Sequence, residues 1–330
     1  MRLQYFLLIL ILAAAACGND EDDTAYLGPI DGGPAHDAKP PPIRPPEPVS
    51  IDIDDCPSYA ALTGPDGASV VRSIATLENR AVLTLNAELR SVQIGVNGCP
   101  GDPIEAFGTD GSLAIDAISA VALPGGRTLV ATAAGMQLLD SAGGLVDDCG
   151  GLEGSMIARV LHASDAGQVA AVFTKSPVML LELGMDASRC LARDLSLSPA
   201  PFSVAAIAMA RFGGLVTVEQ ASATSPLVVA RYDDAGVRIA SSTAFASESA
   251  SKLCSVGGMV DTSAGVFVTD TTCRRGVLFD REELFAIAVH AFDAIPRGVA
   301  ISPDKSHVLV VVEWSSEGLS SAGFASIRLP

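Results

Sequence analysis

Aromatic residues are scarce in this 330-residue chain: one Trp, four Tyr and eleven Phe, 5% in all. A core must therefore be built from Val, Leu, Ile and Ala, which the hydrophobic share of 49% supplies in quantity. Basic residues are also few, 21 against 38 acidic, for a formal charge of -17. Phosphate backbones are bound by clustered Lys and Arg that release counterions, so the charge balance excludes nucleic acid as a partner. An anionic membrane surface would repel the chain for the same reason. Only four histidines are present, and they are scattered as His36, His162, His290 and His307. The last three fall on or beside apolar stretches, where a histidine is a structural residue by default.

Sequence signatures of chemistry are missing as well. The chain has no H-E-x-x-H, no G-x-S-x-G, no Walker loop, no G-x-G-x-x-G after a strand and no EF-hand loop. The run Gly318–Gly323 has its Gly and Ser misspaced for a nucleophile elbow and reads as a hairpin loop. No two cysteines are spaced as C-x-x-C, which argues against a zinc site and a thioredoxin-like role. No catalytic residue is assigned.

What is present begins with an address. A short basic start at Met1 and Arg2 leads into the apolar run Leu3–Ala16. That run is shorter than the roughly 20 residues a spanning helix needs and has the proportions of a secretory signal. It ends in Ala14, Ala15, Ala16 and Cys17, which resembles the lipobox of bacterial lipoproteins, with Ala14 where that family usually has Leu. The resemblance implies cleavage of residues 1–16 and lipidation of Cys17. Gly18, where an Asp would signal inner-membrane retention, points to the outer membrane, with the folded part facing the periplasm or the cell surface. The other reading is an ordinary signal peptide that leaves Cys17 a plain residue.

Residues 17–48 follow as an acidic tether, Asp20 to Asp23, that becomes Pro-rich between Pro40 and Pro48. Such a composition buries no core and favours an extended polyproline spacer of ~3.1 Å per residue. Cys17 apart, six cysteines remain: Cys56, Cys99, Cys149, Cys190, Cys254 and Cys273. An even number in an oxidising compartment predicts disulfides. Six cysteines leave many connectivities open, so the count alone is fixed. Cys254 and Cys273 fall on the paired first and second strands of one blade, where a bridge could form, and Cys56–Cys99 and Cys149–Cys190 would complete a sequential set.

Residues 49–330 show one unit repeated: a strand, a tight turn and a second, almost continuously apolar strand. The turns fall at Glu78-Asn79, Gly125-Gly126, Ala166-Gly167, Gly213-Gly214, Ala264-Gly265 and Asp304-Lys305. A spacing of about 40 to 50 residues is that of four-stranded propeller blades. Second strands that are almost continuously apolar instead of alternating suit sheets covered on both faces. The chain resembles an all-β β-propeller of six four-stranded blades, without the signature of any particular propeller family. The strand Val49–Ile53 is expected to complete the last blade, whose third strand is Ala325–Leu329, and so to close the ring.

Two functions follow. One is a membrane-anchored binding scaffold whose rim loops hold an envelope protein or glycan, with no cofactor. The other is a calcium-dependent lactonase or hydrolase of the six-bladed kind, for which Glu219 and Asp270 are the acids near channel positions. Asp52, Asp54 and Asp55 form a second acidic run with oxygen ligands suited to calcium. Trp314 at a strand end is a core residue or a rim contact.

Overall fold

A computed structural model describes residues 49–50, 53–56, 71–95, 98–149, 158–164, 167–173, 179–183, 190–245, 251–316 and 319–329. The chain divides into Met1–Arg44 and Pro45–Pro330, the first wholly outside the described residues. Cys17, the tether and Asp52 therefore lie outside them too.

The regular secondary structure of the described residues is almost entirely strand. It begins with β1 (Val49–Ser50) and β2 (Ile53–Asp55). The first blade holds β3 (Ser73–Leu77), β4 (Arg80–Thr84), β5 (Glu88–Ile94), β6 (Pro100–Pro103) and β7 (Ser112–Ala114). The second holds β8 (Ala117–Ala122), β9 (Thr128–Thr132), β10 (Gly135–Leu139) and β11 (Leu145–Asp147). The third holds β12 (Ala158–Ala163), β13 (Val169–Phe173), β14 (Met179–Leu183) and β15 (Cys190–Asp194). The fourth holds β16 (Ser203–Met209), β17 (Leu215–Gln220), β18 (Val228–Tyr232) and β19 (Arg238–Ser241). The fifth holds β20 (Gly258–Asp261), β21 (Val266–Asp270), β22 (Arg275–Phe279) and β23 (Ala286–Ala291). The chain ends with β24 (Ile295–Ile301), β25 (His307–Ser316) and β26 (Leu319–Arg328).

Apart from β1, which joins the fifth blade in parallel, the strands of every sheet pair antiparallel, and together the sheets make a β-propeller. Five blades are each cut from one continuous stretch of chain. The remaining sheet is composite: β24, β25 and β26 come from the C-terminal end, and β2 from the N-terminal end pairs with β26. Six apolar clusters fill the spaces between neighbouring sheets, one of them joining the first blade to the composite sheet, so the ring is closed. The second strands β4, β9 and β21 are buried at every position, because each faces a neighbouring blade on both sides.

Several sequence expectations are corrected. The sheets are not uniform four-stranded blades, since two carry a fifth strand. The closing strand is Ile53–Asp55 instead of Val49–Ile53, and Val49–Ser50 adds in parallel to β23 of the fifth blade. Leu319–Gly323, read as loop, is the first half of β26, and the third strand begins there, not at Ala325. The β25–β26 hairpin runs ten residues on each strand, twice the length of most second strands here.

Blades are tied together by polar contacts as well. Arg80, buried between the first two blades, donates from Nε to Ser91 Oγ (2.7 Å) and from Nη2 to Thr128 Oγ1 (2.6 Å). Its Cζ lies 5.2 Å from the Phe107 ring, and burial lowers its pKa to about 10, so it remains a cation at neutral pH. Cys56 and Cys99 are joined, with Cα atoms 5.5 Å apart. This bridge pins the residue after the closing strand to the first blade, within the cluster that spans the ring's seam.

Candidate functional site

The first strands β3, β8, β12, β16, β20 and β24 are edge strands, and residues from all of them surround a central channel of about 440 Å³. An edge strand is paired on one side only, so its other side offers unpaired backbone N–H and C=O groups. Small and aliphatic residues dominate the lining, among them Ala75, Ala120, Ala206, Ile207, Gly258 and Ala300. Gly257 marks a close approach: a Cβ there would lie 2.0 Å from the Arg297 carbonyl oxygen, so only glycine fits between the fifth blade and the composite sheet.

Charged groups sit towards the two mouths. At the end where the inner strands begin, Arg72 is ion-paired with Asp116 at 2.9 Å and donates to the Ala117 carbonyl at 3.0 Å. At the other end, where the inner strands finish, His162, Gln168, Arg211, Asp261 and Lys305 line the channel, with Asp234 from the turn between β18 and β19. His162 Nδ1 accepts from the Met209 N–H at 3.0 Å, which places the proton of the neutral ring on Nε2.

Both carboxylates at this mouth are engaged. Asp234 Oδ1 accepts from the Gly214 N–H at 2.6 Å. Asp261 Oδ2 accepts from the Arg211 N–H at 2.7 Å, and its Oδ1 lies 3.3 Å from Arg281 Nε. Calcium takes six to eight oxygen ligands. Two committed carboxylates beside Arg211 and Lys305 do not form such a set, so these lining residues do not fit the ion.

The acids proposed for a channel metal lie elsewhere. Glu219 is on the second strand of the fourth blade, 2% exposed. It accepts from Thr217 Oγ1 (2.7 Å), the Tyr232 hydroxyl (2.8 Å) and Arg238 Nη1 (3.1 Å), beside the core between the third and fourth blades. Burial, and then the Glu219 carboxylate it donates to, push the Tyr232 hydroxyl well above the usual tyrosine range. Asp270, fully buried, accepts from the N–H groups of Cys254 (3.0 Å), Ser255 (3.0 Å) and Cys273 (3.3 Å), with Arg275 Nε at 3.3 Å. Neither acid reaches the channel, because in a propeller the innermost strand alone faces it.

Cys254, Asp270 and Cys273 gather their ligand atoms within 4.8 Å, the spacing of a metal site. Cys254 and Cys273 are bonded to each other, however, and Asp270 is occupied by N–H donors, so the group is a loop clasp. The pair forms as expected but from the loop before β20 and the turn before β22, not from paired strands. Cys149 is disulfide-bonded, while the side chain of Cys190 lies outside the described residues. Asp54 and Asp55 are in the closing strand, with side chains outside the described set. His162, His290 and His307 are all on strands, and His290 packs edge-on against Phe292 at 4.8 Å. Trp314 is 44% exposed within β25, so it is not a core residue.

One feature of the mouth escaped sequence reading: the exposed aromatic at the tip of the expected Gly213-Gly214 turn. The Ala210 N–H donates to the Gly214 carbonyl at 3.0 Å, and Gly213 and Gly214 both adopt positive φ (94° and 78°). Phe212 at the tip is 80% exposed, with Arg281 Cζ 5.0 Å from its ring centroid. The available signal was an aromatic residue placed inside a Gly-Gly turn.

No family model matches this chain, and no curated protein matches it. Among solved structures, regucalcin from Agrobacterium tumefaciens str. C58, described as a calcium-binding protein, is similar at 14% identity and a TM-score of 0.51, over 80% of this chain and 94% of that one. YCF48 bound to D1 peptide is similar at 12% identity and a TM-score of 0.46, over 79% of each chain. The Dos1 propeller is similar at 10% identity and a TM-score of 0.45, over 79% of this chain and 69% of that one. At these identities what is shared is the fold.

Proposed function

We propose that this protein is a lipid-anchored β-propeller of the bacterial outer membrane, facing the periplasm or cell surface, that serves as a binding scaffold for an envelope protein or glycan. The observation that carries the scaffold reading is the channel lining, in which small and aliphatic residues dominate and both carboxylates, Asp234 and Asp261, already accept hydrogen bonds. A hydrolytic centre needs acids or bases free to take and give protons at a substrate. The lipid anchor is supported by cysteine pairing. Five cysteines are disulfide-bonded, which requires a sixth and leaves one of Cys17 and Cys190 unpaired. Cys17 ends an apolar run of signal-peptide proportions, and no described helix is long and apolar enough to cross a membrane.

The alternative is a calcium-dependent lactonase, favoured by the fold shared with regucalcin. A panel of lactones and esters offered with calcium separates the two. The scaffold reading expects no turnover above buffer, and sustained calcium-dependent hydrolysis would replace it. For the anchor, palmitate labelling should mark the chain and disappear in Cys17→Ser; unchanged labelling would refute it.

A further inference from the structure

We propose that the turn at residues 210–214 docks the C-terminal carboxylate of a partner polypeptide, with Arg211 pairing the carboxylate and Phe212 packing on the apolar side chain beside it. The proposal rests on the scaffold reading and names the chemistry of its partner. Arg211 is exposed, lines the channel mouth, and its guanidinium has no hydrogen-bond or ion-pair partner among the described residues. Arg72, the cation at the other mouth, is ion-paired. On a chain of net charge -17, most of the surface repels an anion. An uncommitted guanidinium at a channel mouth is the place where one is attracted.

Preorganisation adds to the charge argument. Both ends of the turn are clamped, Arg211 N–H by Asp261 and Gly214 N–H by Asp234. Arg281 stands over the ring of Phe212, and its own guanidinium is held by Asp261 and the Thr262 carbonyl. A partner therefore meets an aromatic already in position on a clamped turn, so ordering entropy is lost mainly at the Arg211 side chain. Arginine is among the residue types enriched at interface hot spots, and Phe is enriched at interfaces generally. Behind them lies a channel of about 440 Å³ whose inner edges offer backbone hydrogen bonds, a space suited to a chain end and too small for a folded loop.

The test is an NMR titration of the nitrogen-15-labelled full chain with acetyl-Ala-Ala-Leu as the free acid, the same peptide as its amide, and acetyl-Asp-Ala-Leu amide. The free acid should shift the amides of Arg211, Gly213 and Gly214 and bind about tenfold or more tighter than either amide, the scale of one charge-assisted hydrogen bond. Arg211→Gln should remove that preference. Phe212→Ser should weaken binding of the free acid while leaving its advantage over the amides in place. Both side chains are exposed, so an unchanged melt will show that the variants fold. Equal binding of acid and amides, a turn that stays silent, or wild-type binding by Arg211→Gln would overturn the proposal. A silent turn with shifts at another surface sinks this site alone, whereas calcium-dependent lactone hydrolysis sinks the scaffold reading.

Discussion

Removing the Cys56–Cys99 bridge should open the ring at its seam before any blade loosens. The bridge spans 43 residues, and the loop-closure entropy it takes from the unfolded chain corresponds to about 4 kcal/mol. At roughly 2 °C per kcal/mol for a domain of this size, the doubly substituted Cys56→Ser, Cys99→Ser chain should melt about 8 °C lower. The same arithmetic gives about 3 kcal/mol for Cys254–Cys273, whose separation is 19. The two losses differ in where they act. Cys56 follows the closing strand and packs in the cluster shared by the first blade and the composite sheet. Its loss should therefore speed amide exchange in residues 53–55 and along β26, while loss of Cys254–Cys273 should speed exchange around the fifth blade alone. Calorimetry and hydrogen exchange by mass spectrometry read both quantities. A seam variant that loses less than about 1 kcal/mol, or that opens first in the fifth blade, would refute the latch.

Glu219→Ala strands the buried Tyr232 hydroxyl and unpairs Arg238, so it should cost about 3–5 kcal/mol in denaturant unfolding; a loss under about 1 kcal/mol would contradict its structural role. Asp304 is held down to about 2, first by Ser302 Oγ and then by Ser306, against 3.8 unfolded. Its contribution is therefore full above about pH 4 and lost as pH falls towards 2. The group is exposed, so solvent screening keeps the effect below about 1 kcal/mol, and Asp304→Asn should flatten the acid limb of the stability curve slightly. Gly257→Ala drives a Cβ into the Arg297 carbonyl and should destabilise by about 1–3 kcal/mol, measured as a lowered melt.

The repeat was legible because its signals are local. Gly213 and Gly214 adopt the positive φ that a tight turn demands, and Lys305 does so at 62° in the turn before β25. The almost continuously apolar second strands announced burial on both faces. What stayed hidden depends on contacts distant in sequence. Which N-terminal residues close the ring is decided by register against Ala325–Ile327, and Val49–Ser50 finds a different blade altogether. Glu219 and Asp270 sit near strand ends, as channel ligands would, yet both are on second strands and pack between blades or under a loop. Two of the sequential pairs form, Cys56–Cys99 and Cys254–Cys273, but spacing alone left the connectivity open, and the loop positions of Cys254 and Cys273 needed strand ends placed to within a few residues. An exposed Phe212 runs against burial statistics, so only the folded turn reveals it.

The central claim is that this channel binds a partner without a metal. Calcium titration calorimetry on the full chain, paired with melting curves with and without chelator, addresses it most directly. The committed carboxylates of Asp234 and Asp261 predict no stoichiometric calcium and superimposable melts. One tightly bound calcium per chain with a melt lowered by chelator would contradict the account and return the channel to metal-dependent hydrolysis.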